Sequence, residues 1–184
     1  MVATRREVYT YADLEALPDN VVGELIEGTL YASPRPAGPH VDAASILGEE
    51  LGPPFRRGRG GPGGWILRDE PELHLGGDVV VPDMGGWRRE RHPGEGPYST
   101  VSPDWLCEIL SPSTARLDRK LKLGIYARER VPFVWLVDPI AKSLEVFELD
   151  GMTYRLAMVA GDDDKVRARP FEELELELML LWNP

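Results

Sequence analysis

Two carboxylates stand where a folding chain rarely tolerates charge. Glu108 lies inside the apolar run WLCEIL at 105–110, and Asp83 directly follows the β-branched run that stops at Pro82. A carboxylate inside a buried strand is costly unless it is paired, hydrogen-bonded or bound to a cation. Two carboxylates from neighbouring strand ends can share a divalent metal, because magnesium and manganese favour hard oxygen ligands. Asp118, Lys122 and Tyr126 follow at i, i+4 and i+8. That spacing lines one helix face, which could present Lys122 to the carboxylate pair. Glu24 opens the earlier run ELIEG and could supply a further carboxylate. The same residues have a plainer reading. Glu108 could pair with Lys122 or an arginine in a purely structural ion pair, and Pro-Asp after a strand is ordinary turn chemistry.

The elements that would position these groups alternate between strand and helix. Thr10 is placed to cap a short helix over 11–17 that Pro18 ends. Residues 24–33 read as two strand pieces around Gly28, a hairpin. Residues 40–51 carry Val41, Ala44, Ile46, Leu47 and Leu51 at helical spacing. The stretch 52–64 is too rich in glycine and proline for regular structure and is predicted to be mobile. Short strands are predicted at 65–68, 72–75 and 78–81, and 85–103 reads as one long loop. Long irregular loops often carry function. Residues 105–110 form a candidate buried strand, SPST at 111–114 supplies cap residues, and 115–130 reads as a helix. The run VPFVWLV at 131–137 is the most strand-like and is predicted to be central and parallel. An antiparallel run over 143–149, 152–160 and 165–169 follows, separated by DG and GDDD turns. The acidic tail resists assignment. One α/β domain over 1–184 is the economical reading.

Composition narrows the function classes. The 184 residues are 42% hydrophobic and 28% charged, which suits a folded chain with a sizeable core. The single cysteine argues against a disulfide framework or a zinc site built on several cysteines. Cys107 is expected to face the core on the opposite side from Glu108, because strand neighbours alternate. No apolar run approaches the ~20 residues needed to span a bilayer, and no apolar h-region follows the basic residues near the N-terminus. The expectation is a cytoplasmic protein without membrane contact. The net charge of −10 argues against non-specific coating of nucleic acid. Charge is uneven, however. Acidic residues dominate 1–52 and 145–184, whereas 53–144 has a slight basic excess, clustered as Arg56, Arg57 and Arg59, Arg88, Arg89 and Arg91, and Arg116, Arg119, Lys120 and Lys122. These clusters read equally as solvated surface or as phosphate contacts. Trp65, Trp105, Phe133 and Trp135 read as packing residues rather than base-stacking platforms. His40 sits near a helix start, and His74 and His92 have no company that suggests a metal site.

Taken in order, ELIEG (24–28), SPRP with His40 soon after, VPD (81–83), WLCEILSPST (105–114), DRKLKLGIY (118–126) and VPFVWLVDP (131–139) form a distinctive set. The set resembles a bacterial family of uncharacterised function described as putative restriction endonucleases, a branch of the PD-(D/E)XK nuclease superfamily. The resemblance implies a restriction-endonuclease-like α/β core, a mixed β-sheet flanked by helices. By that resemblance Asp83 and Glu108 are the metal carboxylates, with the carbonyl of Ile109 as a further ligand of Mg2+ or Mn2+. The superfamily's catalytic lysine normally stands two residues after the second acid, where this chain has Leu110; Lys122 occupies the matching position of the branch on the next helix. Glu24 matches an acid contributed near the start of the core. His40, Asp118 and Tyr126 match recurrent positions without an assigned role. The implied activity is metal-dependent endonucleolytic hydrolysis of DNA, with nothing to separate RNA from DNA as substrate, and the implied assembly is a homodimer. The alternatives are a nuclease-fold DNA-binding or regulatory module without turnover, and a structural protein with buried ion pairs.

Overall fold

A computed structural model describes residues 8–112 and 114–183. Its frame is a six-stranded mixed sheet in the order β10-β9-β8-β7-β6-β3. These strands are β3 (Trp65–Asp69), β6 (Met84–Arg88), β7 (Trp105–Ile109), β8 (Phe133–Asp138), β9 (Ser143–Asp150) and β10 (Thr153–Gly161). Only β7 and β8 run parallel, Cys107 opposite Trp135 and Glu108 opposite Leu136. Both are flanked by strands on either side, and every residue of β7 is buried. A second sheet, antiparallel, has the order β2-β1-β5-β4, from β1 (Val21–Ile26), β2 (Thr29–Pro34), β4 (Leu73–Leu75) and β5 (Asp78–Val80). The chain passes from this smaller sheet into the larger one at Val81–Asp83.

Strand alternation gives the large sheet two apolar faces. Trp105, Cys107 and Ile109 of β7 point to one, where they meet Ala43, Leu47 and Leu51 of α2 (Pro39–Leu51). Leu106 points to the other, where Ile125 and Tyr126 of α4 (Leu123–Arg128) pack together with Ile26, Leu73 and Val80 of the smaller sheet. Glu108 shares the side of Leu106, so the alternation that buries Cys107 on the α2 side sends the carboxylate toward α4.

The helices depart from a plain α reading. Helix α1 (Tyr11–Glu15) stops before the expected end at 17, and Thr10 donates its backbone N–H to Asp13. The helix expected over 115–130 forms over 115–128, but as three contiguous parts: one turn of α3 (Ala115–Leu117), a π turn (Asp118–Lys122) and α4. Of the expected cap residues, Ser113 lies outside the described ones. A second π turn (Gly52–Arg56) extends α2. The 52–64 stretch is thus regular over Gly52–Arg56, contrary to expectation, while 57–64 forms no helix or strand. Phe55 is fully buried against Phe171, and Arg59 and Gly63 donate backbone bonds to the carbonyls of Pro53 and Pro54.

The expected loop at 85–103 begins instead as β6, followed by a 3-10 turn (Arg89–Arg91). Its two glycines hid the strand, and packing explains them. A Cβ on Gly86 would meet Leu67 and Trp105 side-chain atoms at 3.1 Å, and one on Gly85 would meet Pro71 at 2.9 Å. Residues 165–169 likewise do not extend the antiparallel run. β11 (Lys165–Val166) pairs with β12 (Leu176–Glu177), and the tail folds over the α2 face. There Phe171 touches the rings of Phe55, Trp65, Trp105 and Trp135.

Candidate active site

Three elements meet where β7 ends. The chain leaves β5 as Val81-Pro82-Asp83, β7 delivers Glu108 and Ile109, and the π turn with α4 lies across them. β6 pairs with β7 through Met84 and Cys107, which sets Asp83 beside the last turn of β7. Its Oδ2 accepts the Ile109 N–H at 2.6 Å, and its Oδ1 lies 3.1 Å from His40 Nε2.

Behind Asp83 is a buried cluster. Lys122 Nζ lies 2.8 Å from Glu108 Oε1, 3.0 Å from Glu24 Oε1 and 3.4 Å from Asp118 Oδ1, and all four side chains are at most 8% exposed. Tyr126 donates its hydroxyl to the same Glu108 oxygen. Glu24 Oε1 also accepts the Val81 N–H at 2.9 Å. The π turn contributes directly: the Leu123 N–H reaches the Asp118 carbonyl, one residue further than in an α-helix. The wider turn advances less per residue than the ~100° of an α-helix. It thereby offsets the drift that would splay Asp118, Lys122 and Tyr126 around the helix.

One ammonium facing three carboxylates leaves surplus negative charge in a poorly hydrated place. Burial holds the Glu108 carboxyl well above the usual carboxylate range, against the opposing pull of Lys122. Burial raises Asp118 as well, opposed by Lys122 and by the Thr114 hydrogen bond. Burial alone would strip the Lys122 proton, but Glu108 and Glu24 together hold the ammonium well above its ordinary range. The favoured state has Lys122 charged and the Glu108 and Asp118 carboxyls readier than usual to take up a proton. Burial and Glu108 push the Tyr126 phenol up. Burial disfavours the His40 cation, yet Asp83 outweighs it and the net shift is upward.

Glu24, His40, Asp83, Glu108, Asp118 and Lys122 line a cavity of about 160 Å3. A larger cleft of about 650 Å3 shares His40, Glu70 and Asp83 with it and runs along α2 to Arg56 and Arg57. The four side chains singled out by sequence as catalytic, Glu24, Asp83, Glu108 and Lys122, thus share one cavity, with Asp118, Tyr126 and His40 beside them. For Ile109 it is the amide, not the carbonyl, that touches Asp83. Leu110 is buried in the apolar cluster beside α4, and Lys122 supplies the ammonium near Glu108. The arginine clusters divide. Arg88 lies over the Trp65 ring and Arg91 binds Asp104, whereas Arg56 and Arg57 face the cleft. Sequence reasoning missed the backbone donors Val81 and Ile109, because backbone direction leaves no mark in residue type, and gave Thr114 only as a cap residue, not as a partner of Asp118.

Among the described residues no three His, Cys, Asp or Glu side chains already form a metal cage. The donor set nonetheless fits a hard divalent cation, since oxygen ligands carrying surplus negative charge line one cavity.

A sequence profile of the Uma2 family, described as putative restriction endonucleases, matches residues 8–180. The chain belongs to the Uma2 family. Among solved structures, one of a putative nuclease of the DUF820 group from Anabaena variabilis superimposes with a TM-score of 0.77. It covers 92% of this Uma2 chain and 94% of its own, at 22% identity, and so shows a common fold. No curated protein matches the chain. No described helix of this Uma2 protein is long and apolar enough to cross a membrane.

Proposed function

We propose that the protein is a metal-dependent endonuclease that hydrolyses phosphodiester bonds in DNA. The observation that carries this reading is the buried ammonium of Lys122 shared by Glu24, Glu108 and Asp118, with Asp83 on the same cavity. A structural ion pair needs one acid per base. Three acids around one lysine leave a charge deficit that a divalent cation would fill.

Asp83 and Glu108 would hold Mg2+ or Mn2+, with the Ile109 carbonyl as a further ligand. When bound, the metal lowers the pKa of a water and offsets charge on the phosphate. The chain's own groups do the rest. His40 and the Ile109 N–H fix the two oxygens of Asp83. Tyr126 fixes Glu108. Glu24, tied to the Val81 N–H, holds Lys122 on one side and Asp118 holds it on the other. Lys122 orients the attacking water and offsets the charge that develops on the phosphoryl oxygens.

A second reading is a nuclease-fold DNA-binding or regulatory module without turnover. Leu110 at the usual lysine position and the retention of Lys122 by three carboxylates favour it. Cleavage of labelled duplex DNA and RNA with Mg2+ or Mn2+ separates the two. The endonuclease reading expects metal-dependent cuts that Asp83→Asn and Lys122→Met each reduce by ~10²-fold or more. Activity surviving both substitutions would mean that the site assignment is wrong. Metal binding without any cleavage would leave the non-catalytic module.

A further inference from the structure

We infer that the cleft along α2 is a polarised groove for a nucleic-acid backbone, gripping phosphates at its arginine end and delivering the strand to Asp83 at the other. The inference rests on the nuclease reading and deepens it by naming the surface that holds the substrate and the part of the substrate it holds.

Two independent elements set the polarity. The first turn of helix α2 carries His40, beside Asp83, and the π-turn extension of the helix ends at Arg56. The β3–β6 pair runs the same length, with Asp69 opposite Met84 at the acid end and Trp65 opposite Arg88 at the other. Arg89 follows β6 and donates to the Arg56 carbonyl at 3.3 Å, which joins the two clusters that sequence leaves apart. Arg56, Arg57 and Arg59 have no side-chain hydrogen bond or ion pair among the described residues, and Arg89 bonds only that carbonyl. Most of the other described arginines are paired with acids, as in Arg91–Asp104, Arg119–Glu145 and Arg155–Glu148. In a chain of net charge −10, the unpaired guanidinium groups of Arg56 and Arg57 on the cleft wall, with Arg89 bonded to the Arg56 carbonyl, make a local anion site.

The wall of the groove points to a backbone rather than to bases. No Phe, Tyr or Trp lines it, so bases have no stacking platform. Gly48 and Gly52 face it from α2. A Cβ on Gly48 would meet only Met84, at 3.9 Å, and one on Gly52 would meet nothing within 4 Å. Glycine is a poor helix former, and neither glycine is required by packing inside the chain. Both leave room for close approach to the helix. The acidic lining residues Asp69 and Glu70 lie at the Asp83 end, where Glu70 donates its N–H to the Asp83 carbonyl; Glu49 lies between the ends.

The six residue steps from Asp83 to Arg89, mostly strand, span roughly 20 Å, about the axial rise of six base pairs. Scission is therefore expected about six base pairs from the phosphates that the arginines hold.

The test is fluorescence anisotropy with labelled 24-base-pair duplexes of two unrelated sequences, in EDTA, across a salt series. The proteins are the wild type, the triple variant Arg56→Gln/Arg57→Gln/Arg89→Gln, and Gly52→Glu. The substituted side chains project from the surface, and Gly52 has helical φ and ψ, so all three should fold alike. The wild type should bind both duplexes equally. Every phosphate that the protein no longer neutralises lowers the slope of log K against log salt by ~0.9, so the triple variant should show a slope shallower by about 2–3. It and Gly52→Glu should each lose at least ~10-fold in affinity at low salt. Wild-type affinity and slope in both variants, with Asp83-dependent cleavage intact, would overturn the groove and leave the nuclease reading standing. A wild type that neither binds nor cuts either duplex would overturn both.

Discussion

Replacing Lys122 by methionine keeps the stem of the side chain and removes only its charge. In the folded protein that charge sits 2.8, 3.0 and 3.4 Å from three buried carboxylates. Breaking a buried pair from one side costs about 3–5 kcal/mol, since the partner charge is left without compensation. The cluster has one way to limit that cost, which is for a further carboxyl to take up a proton. From a solution pKa of about 4.3, protonating a glutamate at pH 7 costs about 3.7 kcal/mol, and that cost falls by about 1.4 kcal/mol for each unit of decreasing pH. Lys122→Met should therefore lose about 3–4 kcal/mol at pH 7 and only about 1 kcal/mol at pH 5. The sign follows from linkage. A carboxyl whose folded pKa is raised contributes its stability below its unfolded pKa and loses it as pH rises through the folded value. Urea unfolding followed by fluorescence of the five tryptophans, at pH 5 to 8, measures the gap. A loss under about 1 kcal/mol at pH 7, or a loss equal at pH 5 and pH 8, would refute the reasoning.

Glu108→Gln should behave in the opposite way. It removes a carboxylate that burial already disfavours and leaves Lys122 with Glu24 and Asp118, so stability should change by less than about 1 kcal/mol while DNA cleavage falls by ~10²-fold or more. Parallel melting and cleavage assays check both halves. His40→Asn should cost about 1–2 kcal/mol below pH 6 and little at pH 8.5. The raised His40 pKa contributes stability that is complete below the unfolded value near 6.5 and is lost as pH rises through the folded value. Denaturant titrations at pH 5.5 and 8.5 compare the two. Phe171→Ala empties the centre of a ring cluster made with Phe55, Trp65, Trp105 and Trp135. It should cost about 3–5 kcal/mol, read as a lowered urea midpoint; a loss under about 1 kcal/mol would mean that the tail does not complete the core.

The candidate site was legible because charge inside an apolar strand is rare enough to stand out. Glu108 in WLCEIL and Asp83 after VVVP needed no partner in sequence to attract notice. Strand alternation alone sent Cys107 and Glu108 to opposite faces. Lys122 was legible only as a helix position, since neither the π turn that converges it with Asp118 and Tyr126 nor the Val81 and Ile109 amides have a side-chain signature. β6 was hidden by Gly85 and Gly86, whose function is to make room for Pro71, Leu67 and Trp105, a tertiary reason invisible in a five-residue window. The tail was illegible for a related cause. Leu174, Leu176 and Leu178 alternate as a strand would, but only the two-residue β12 forms before a 3-10 turn (Leu178–Leu181), and the α2 face is filled by Phe171, Leu176, Leu178 and Leu181 from these different elements. The basic clusters were visible as composition, but only folding separates Arg56 and Arg57, which line the cleft with Arg89 bonded to the Arg56 carbonyl, from Arg88 and Arg91, which are held by Trp65 and Asp104.

Asp83 and Glu108 are proposed to form a divalent-metal site beside a charged Lys122. The most direct test is a manganese titration by calorimetry on the wild type, Asp83→Asn and Glu108→Gln, with and without a short DNA duplex. The wild type should bind manganese at millimolar or tighter affinity, and both substitutions should abolish that binding. Absence of wild-type binding even with DNA present, or equal binding by all three proteins, would contradict it.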